Sequence, residues 1–194
     1  MPPALAETVG GFLFRRRSWT PWPPILLFLL LARPTAASLL TGAALMCFGE
    51  AIRIWANAHI GGVSRTRGDQ PGARLIVSGP FAYMRNPLYA GNLFLTLGAA
   101  WMSGRLWLLA AAAALFAAQY IPVVRWEESR LRGAFGGAYE QYCARTPRWL
   151  PRFAKPPQNA ERVKPSLRRA LYAERRTFLA IAAVAALFAL RPLF

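Results

Sequence analysis

The chain has 194 residues, 55% of them hydrophobic, yet 24 Lys and Arg stand against 8 Asp and Glu for a formal net charge of +16. A soluble domain of this size rarely combines the two, whereas apolar runs alternating with Arg-rich connections are the pattern of a polytopic membrane protein oriented by its cytoplasmic charge. No recognisable nucleic-acid module accompanies the basicity, so anionic membrane lipids and not nucleic acid are the expected partners; one His and two isolated Cys give no metal-ligand cluster.

Arg15, Arg16 and Arg17 precede a short apolar stretch at 22–32 that is studded with Pro21, Pro23 and Pro24. It resembles a secretory signal peptide, but a second apolar stretch comes directly after it, and we read it as a retained first membrane helix. Residues 36–58 are long enough to cross ~30 Å of hydrocarbon at about 1.5 Å per residue. Residues 106–124 reach about 28 Å by the same rise. The shorter stretch 88–102 joins them through a tight turn at Ser103-Gly104-Arg105, which predicts a helical hairpin. The last apolar stretch, 177–190, is too short to span unaided. A basic amphipathic segment at 166–176 precedes it, and the two are expected to form one helix entering the bilayer from its surface.

These elements predict an all-α fold, a polytopic membrane bundle of about five helices with short cytoplasmic connections. Residues 1–194 form a single membrane domain in this reading, with a core at 36–152 and a tail at 153–194 set off by Pro156-Pro157-Gln158-Asn159. Three Arg precede the first helix, four lie at 65, 67, 74 and 85, and thirteen Lys and Arg lie in 125–176. The opposite connections hold Arg33 and Arg105. The amino terminus and both connections therefore face the cytoplasm, on a bacterial inner membrane in the simplest reading.

Two polar blocks sit at the ends of these greasy helices. The first is Gly79-Pro-Phe-Ala-Tyr-Met-Arg-Asn-Pro-Leu-Tyr-Ala-Gly91. Pro87 is suited to a first helical position and Asn86 before it to an N-cap. Such a helix start suits a carboxylate, with Arg85 as a second anion ligand and Tyr89 in the first turn. An ordinary capped membrane helix with an interfacial Arg and Tyr belt fits the same residues.

The second block runs from Glu127 through Tyr142 and closes at Thr146-Pro-Arg-Trp-Leu-Pro151. Glu127 heads an apolar stripe with Leu131 and Phe135, so it faces the core and needs a partner such as Arg85, Arg148 or a ligand amine. Glu128 and Arg132 have the spacing of a surface ion pair. Glu50 and Arg53 are one turn apart on a membrane helix and read as a self-satisfied pair. His59 reads as a helix-end histidine.

In these two blocks the chain resembles the isoprenylcysteine carboxyl methyltransferase and phospholipid methyltransferase group of integral membrane enzymes. The group's Gly-Pro-Tyr-x-Tyr-x-Arg-His-Pro-x-Tyr-x-Gly block corresponds to 79–91 here. Its Glu-Glu-x-x-Leu, Phe-Gly-x-x-Tyr-x-x-Tyr and closing Pro-Arg elements correspond to 127–131, 135–142 and 147–151. The resemblance covers roughly residues 42–152.

It implies S-adenosylmethionine as cofactor, held by Tyr83, Arg85, Asn86, Pro87, Tyr89, Glu127 and Glu128. Arg85, Glu127 and Arg148 are then the candidate catalytic groups. The implied acceptor is a lipid-like or prenyl-like amphiphile. Asn86 stands where the group usually has His, and Asn cannot carry a proton. That favours a carboxylate or thiol acceptor over an amine. A nicotinamide-dependent membrane reductase, echoed by Tyr142-Cys143, and a non-catalytic membrane scaffold are the alternatives.

Overall fold

The computed structural model describes residues 3–60, 66–67, 70–71, 74–152 and 164–191. Six helices dominate them: α1 (Pro3–Arg16), α2 (Trp22–Leu31), α3 (Ala36–Ile60), α4 (Pro87–Met102), α5 (Leu106–Arg145) and α6 (Leu167–Leu190). A two-residue antiparallel ladder pairs Thr66–Arg67 with Gln70–Pro71. The fold is all-α in its architecture, as expected. The Pro156-Pro157-Gln158-Asn159 linker lies outside the described residues.

Two helices, α3 and α5, are long and apolar enough to cross a membrane. The amino-terminal tail is itself a helix, α1, which packs on α5. Gly10 and Gly11 allow the approach: a Cβ on Gly10 would lie 2.5 Å from the Pro122 carbonyl oxygen. Phe14 then stacks on Trp126 at 4.7 Å between ring centroids.

The central contact is α3 against α4, and glycines at a seven-residue spacing set its closeness. A Cβ on Gly42 would lie 2.7 Å from the Gly98 carbonyl oxygen, and one on Gly49 would lie 2.7 Å from that of Gly91. Without a hydrophobic drive between helices in lipid, backbone approach through small residues is what holds such a pair. At the outer turn Gly104 adopts φ +69, and a Cβ there would strike the Arg33 carbonyl. Arg33 N–H in turn donates to the Ser103 carbonyl at 2.8 Å.

A buried cluster of Phe28, Met46, Ala100, Met102, Leu108 and Phe188 ties α2 through α6 together. The segments 166–176 and 177–190 do form one helix, α6. Its buried face runs Ala170, Glu174, Val184, Phe188, with Thr177 and Ile181 half-buried between them. This is the i, i+4, i+7 stripe of a core-facing helix, with one carboxylate inside it.

α5 extends well beyond the expected 106–124 span, carrying the second block as helix. It breaks at Gly136, whose φ of 49 and ψ of −126 are not helical. The break reverses the direction of the chain. Arg132 and Glu140 pair across it, although eight residues of straight helix would separate them by about 12 Å. Tyr139 and Tyr142 turn back to pack with Leu131, Leu75 and Val77.

Candidate active site

The turn at Gly136 returns the chain to the first block. Arg85 N–H donates to the Pro147 carbonyl at 2.9 Å and Arg152 N–H to the Tyr83 carbonyl at 3.0 Å. Tyr142 Oη donates to the Phe81 carbonyl at 2.7 Å. Three hydrogen bonds therefore stitch the two blocks together on the side of the bundle where α4 begins.

Glu128 is the hub of the junction. It is 2% exposed, and Arg148 grips both its oxygens, with Nη2 2.7 Å from Oε2 and Nε 3.1 Å from each. Asn86 Nδ2 donates to Oε1 at 3.1 Å and to the Arg148 carbonyl at 3.3 Å. Arg85 Nε stands 3.5 Å from Oε1. Burial pushes the Glu128 carboxyl upward, but the Arg148 hydrogen bonds, the Arg85 charge and the Asn86 amide outweigh it and hold the group below its ordinary value. The same contact raises Arg148. Asn86 sits at the N-cap position but makes no side-chain cap bond; its amide is committed to Glu128.

Two expectations are corrected here. Glu128 does not pair with Arg132, because the Gly136 turn gives Arg132 to Glu140 and Glu128 to Arg148. Asn86 marks the start of α4 without capping it. Glu127, also buried, takes a hydrogen bond from the Tyr89 hydroxyl at 2.9 Å. Pro87 is the first residue of α4 and buried. The Tyr83 ring turns toward Trp55, 6.1 Å away, and its backbone carbonyl joins the stitch. His59 Nδ1–H donates to the Trp55 carbonyl at 2.9 Å, and its ring lies where a Gly79 side chain would project.

A second polar cluster lies beyond what the sequence reading anticipates. Arg53 does approach Glu50, at 3.3 Å, but its stronger partner is Glu174 of α6, at 2.6 and 2.8 Å. Asn92 and Asn57 complete the group through Arg53 and Glu174 respectively. The pair read as self-contained is a three-helix junction. The signal that could have found it is a single acid among the basic residues of 166–176, at the right phase to face inward. Beside it Asn92 Nδ2 donates to Tyr120 Oη at 3.4 Å, and the Tyr120 ring lies 5.3 Å from that of Tyr89. A cavity of about 520 Å³ opens below, lined by Arg53, Asn92, Tyr120 and apolar residues of α2 through α6.

Residues 37–138 match the family model described as phospholipid methyltransferase. The chain belongs to that family. The match holds most of the junction and excludes Arg148 and α6. The chain is also 29% identical over 167 residues to the cobalt-zinc-cadmium resistance protein CzcN of Cupriavidus metallidurans, covering 79% of this chain and 72% of that protein. It is 30% identical over 120 residues to the nickel-cobalt-cadmium resistance protein NccN of Alcaligenes xylosoxydans xylosoxydans. That alignment covers 62% of this chain and 53%, about half, of the relative. No solved structure matches the chain.

Proposed function

We propose that the protein is an S-adenosylmethionine-dependent methyltransferase of the membrane surface, acting on a lipid-like or prenyl-like amphiphile. The observation that carries this is the junction of Arg85, Asn86, Glu128 and Arg148, with the Tyr89–Glu127 pair beside it. Its donor set fits the cofactor's groups. Glu127 and Glu128 suit an ammonium and ribose hydroxyls, Arg85 and Arg148 suit a carboxylate, and Tyr83, Asn86, Pro87 and Tyr89 bound the same corner.

When bound, the cofactor supplies a methyl group on a cationic sulfur. The chain's work is then alignment and exclusion of water. Arg85, Glu127 and Arg148 orient the reacting groups, and Tyr89 holds the Glu127 carboxylate in one rotamer. Asn86 donates a hydrogen bond and carries no proton. The acceptor that fits is one that arrives as a carboxylate or a ready thiol, ahead of an amine. We assign the junction to the cytoplasmic face, with the whole of 1–194 as one membrane domain and α2, α4 and α6 crossing with α3 and α5. Calorimetry with S-adenosylmethionine on Arg85→Ala and Glu127→Ala should show weakened binding in folded protein. Unchanged affinity in both would return these residues to a structural role. Radiolabelled methyl transfer into lipid extracts and prenylcysteine analogues identifies the acceptor, and labelling of phosphatidylethanolamine alone would reverse the ranking.

A further inference from the structure

The 520 Å³ cavity is amphiphilic in a defined direction. Toward the motif junction it is lined by Arg53, Asn92, Gln119, Tyr120 and Thr177, and farther in by Phe28, Met46, Ala99, Ala112 and Val184. Arg17 and Arg176 also line it, and no Asp or Glu does among the described residues. Arg53 stands between the cavity and the carboxylate of Glu174. Two polar atoms at this wall are buried without a hydrogen-bond partner, Gln119 Nε2 and Thr20 Oγ1. Each such group costs about 1–3 kcal/mol unless something fills its valence.

The cavity separates α2 from α6, from Trp22 and Arg176 at one end to Phe28 and Val184 at the other. Beyond that the two helices are clamped: Arg191 Nε donates to the Leu29 carbonyl at 3.1 Å and Nη2 to that of Leu30 at 3.3 Å. The unclamped end is flanked by Arg17 and Arg176.

We propose that this cavity binds a single-chain amphiphile with an anionic head group, admitted between α2 and α6. The head meets Arg17 and the free amide of Gln119, and the tail lies along Phe28, Met46 and Val184. At ~30 Å³ per water-sized group, the volume holds on the order of twenty non-hydrogen atoms. A two-tailed phospholipid has more than twice as many. Two tyrosine rings separate the cavity from Glu127 of the junction: Tyr120 lines the cavity, its ring lies 5.3 Å from that of Tyr89, and Tyr89 donates to Glu127. The role of this amphiphile as methyl acceptor rests on the methyltransferase reading, whereas its binding does not.

Trp22 lines the cavity and serves as the reporter. The full chain in detergent or nanodiscs is titrated with 12-bromododecanoate and with 12-bromododecylamine, following tryptophan quenching without any cofactor. Saturable quenching by the carboxylate is expected, absent in Trp22→Phe and at least about tenfold weaker for the amine. Gln119→Leu and Arg17→Gln should each weaken the carboxylate by about tenfold, and Ala180→Phe should abolish saturation by filling the space, all with an unchanged melting temperature. Equal binding of the amine, or saturable quenching that survives Trp22→Phe, overturns the proposal. Binding without methyl transfer would leave this site standing and defeat the enzymatic reading. Methyl transfer without binding would do the reverse.

Discussion

Asn86 donates its side-chain amide to a Glu128 oxygen 3.1 Å away and 42 positions along the chain, leaving α4 without a side-chain cap. A capping bond contributes about 1 kcal/mol, whereas an unmet buried carboxylate costs more. The amide therefore goes to the carboxylate.

Asn86→Asp would remove that donor and set a second carboxylate against Glu128. We expect a loss of about 1–3 kcal/mol, read as a fall in the melting temperature of the purified protein. An unchanged melting temperature would mean that the Asn86–Glu128 contact contributes nothing to the junction. Asn86→His, which keeps a donor, should stay folded.

Acid should loosen the junction in a defined window. The folded Glu128 carboxyl lies below its ordinary 4.5, so the unfolded chain binds this proton more readily than the folded one. The stability it contributes is fully present above about 4.5 and is lost as pH falls through the lower folded value. The difference in unfolding midpoint between native protein and Glu128→Gln should be flat above pH 4.5 and shrink below it. A difference that shrinks as pH rises would contradict the assignment.

Glu174→Ala should detach α6 from the bundle. It leaves the half-buried Asn57 without its carboxylate and the half-buried Arg53 with Glu50 alone, a loss of about 1–3 kcal/mol. Limited proteolysis near residue 166 should accelerate in the variant. Equal protease resistance would show that apolar packing of Val184 and Phe188 holds α6 by itself.

Gly49→Leu should force α3 and α4 apart, because even a Cβ there meets the Gly91 carbonyl and the Phe94 side chain. Overpacking of this kind costs about 1–3 kcal/mol, and Arg53 would lose register with Asn92. Wild-type stability in this variant would refute the close approach.

The two cysteines report orientation. Cys143 is half-buried on the extension of α5 that carries the second block, and Cys47 is exposed on the apolar face of α3. A membrane-impermeant maleimide should label Cys143 in inverted vesicles and not in intact cells, and Cys47 in neither. Labelling of Cys143 from outside would put the junction on the opposite face. Lys155, an alternative reporter, lies outside the described residues.

Periodicity in the sequence located the helices α2 to α6, charge gave the expectation that both blocks face the cytoplasm, and the family resemblance put forward Arg85, Asn86, Glu127, Glu128 and Arg148 as one site. Those signals are local: an apolar run long enough to span, or an acid at the head of an apolar stripe, is legible without knowing its neighbours. What lies across the bundle is not. The chain could not say that Glu128 would prefer Arg148 to Arg132, since that depends on Gly136 leaving the helical region and turning the chain back. Nor could it say that Arg53 belongs to Glu174, 121 positions away on a helix that reads as basic surface. A buried carboxylate takes whichever cation the packed backbone brings within about 3 Å, and only the tertiary structure fixes which one that is.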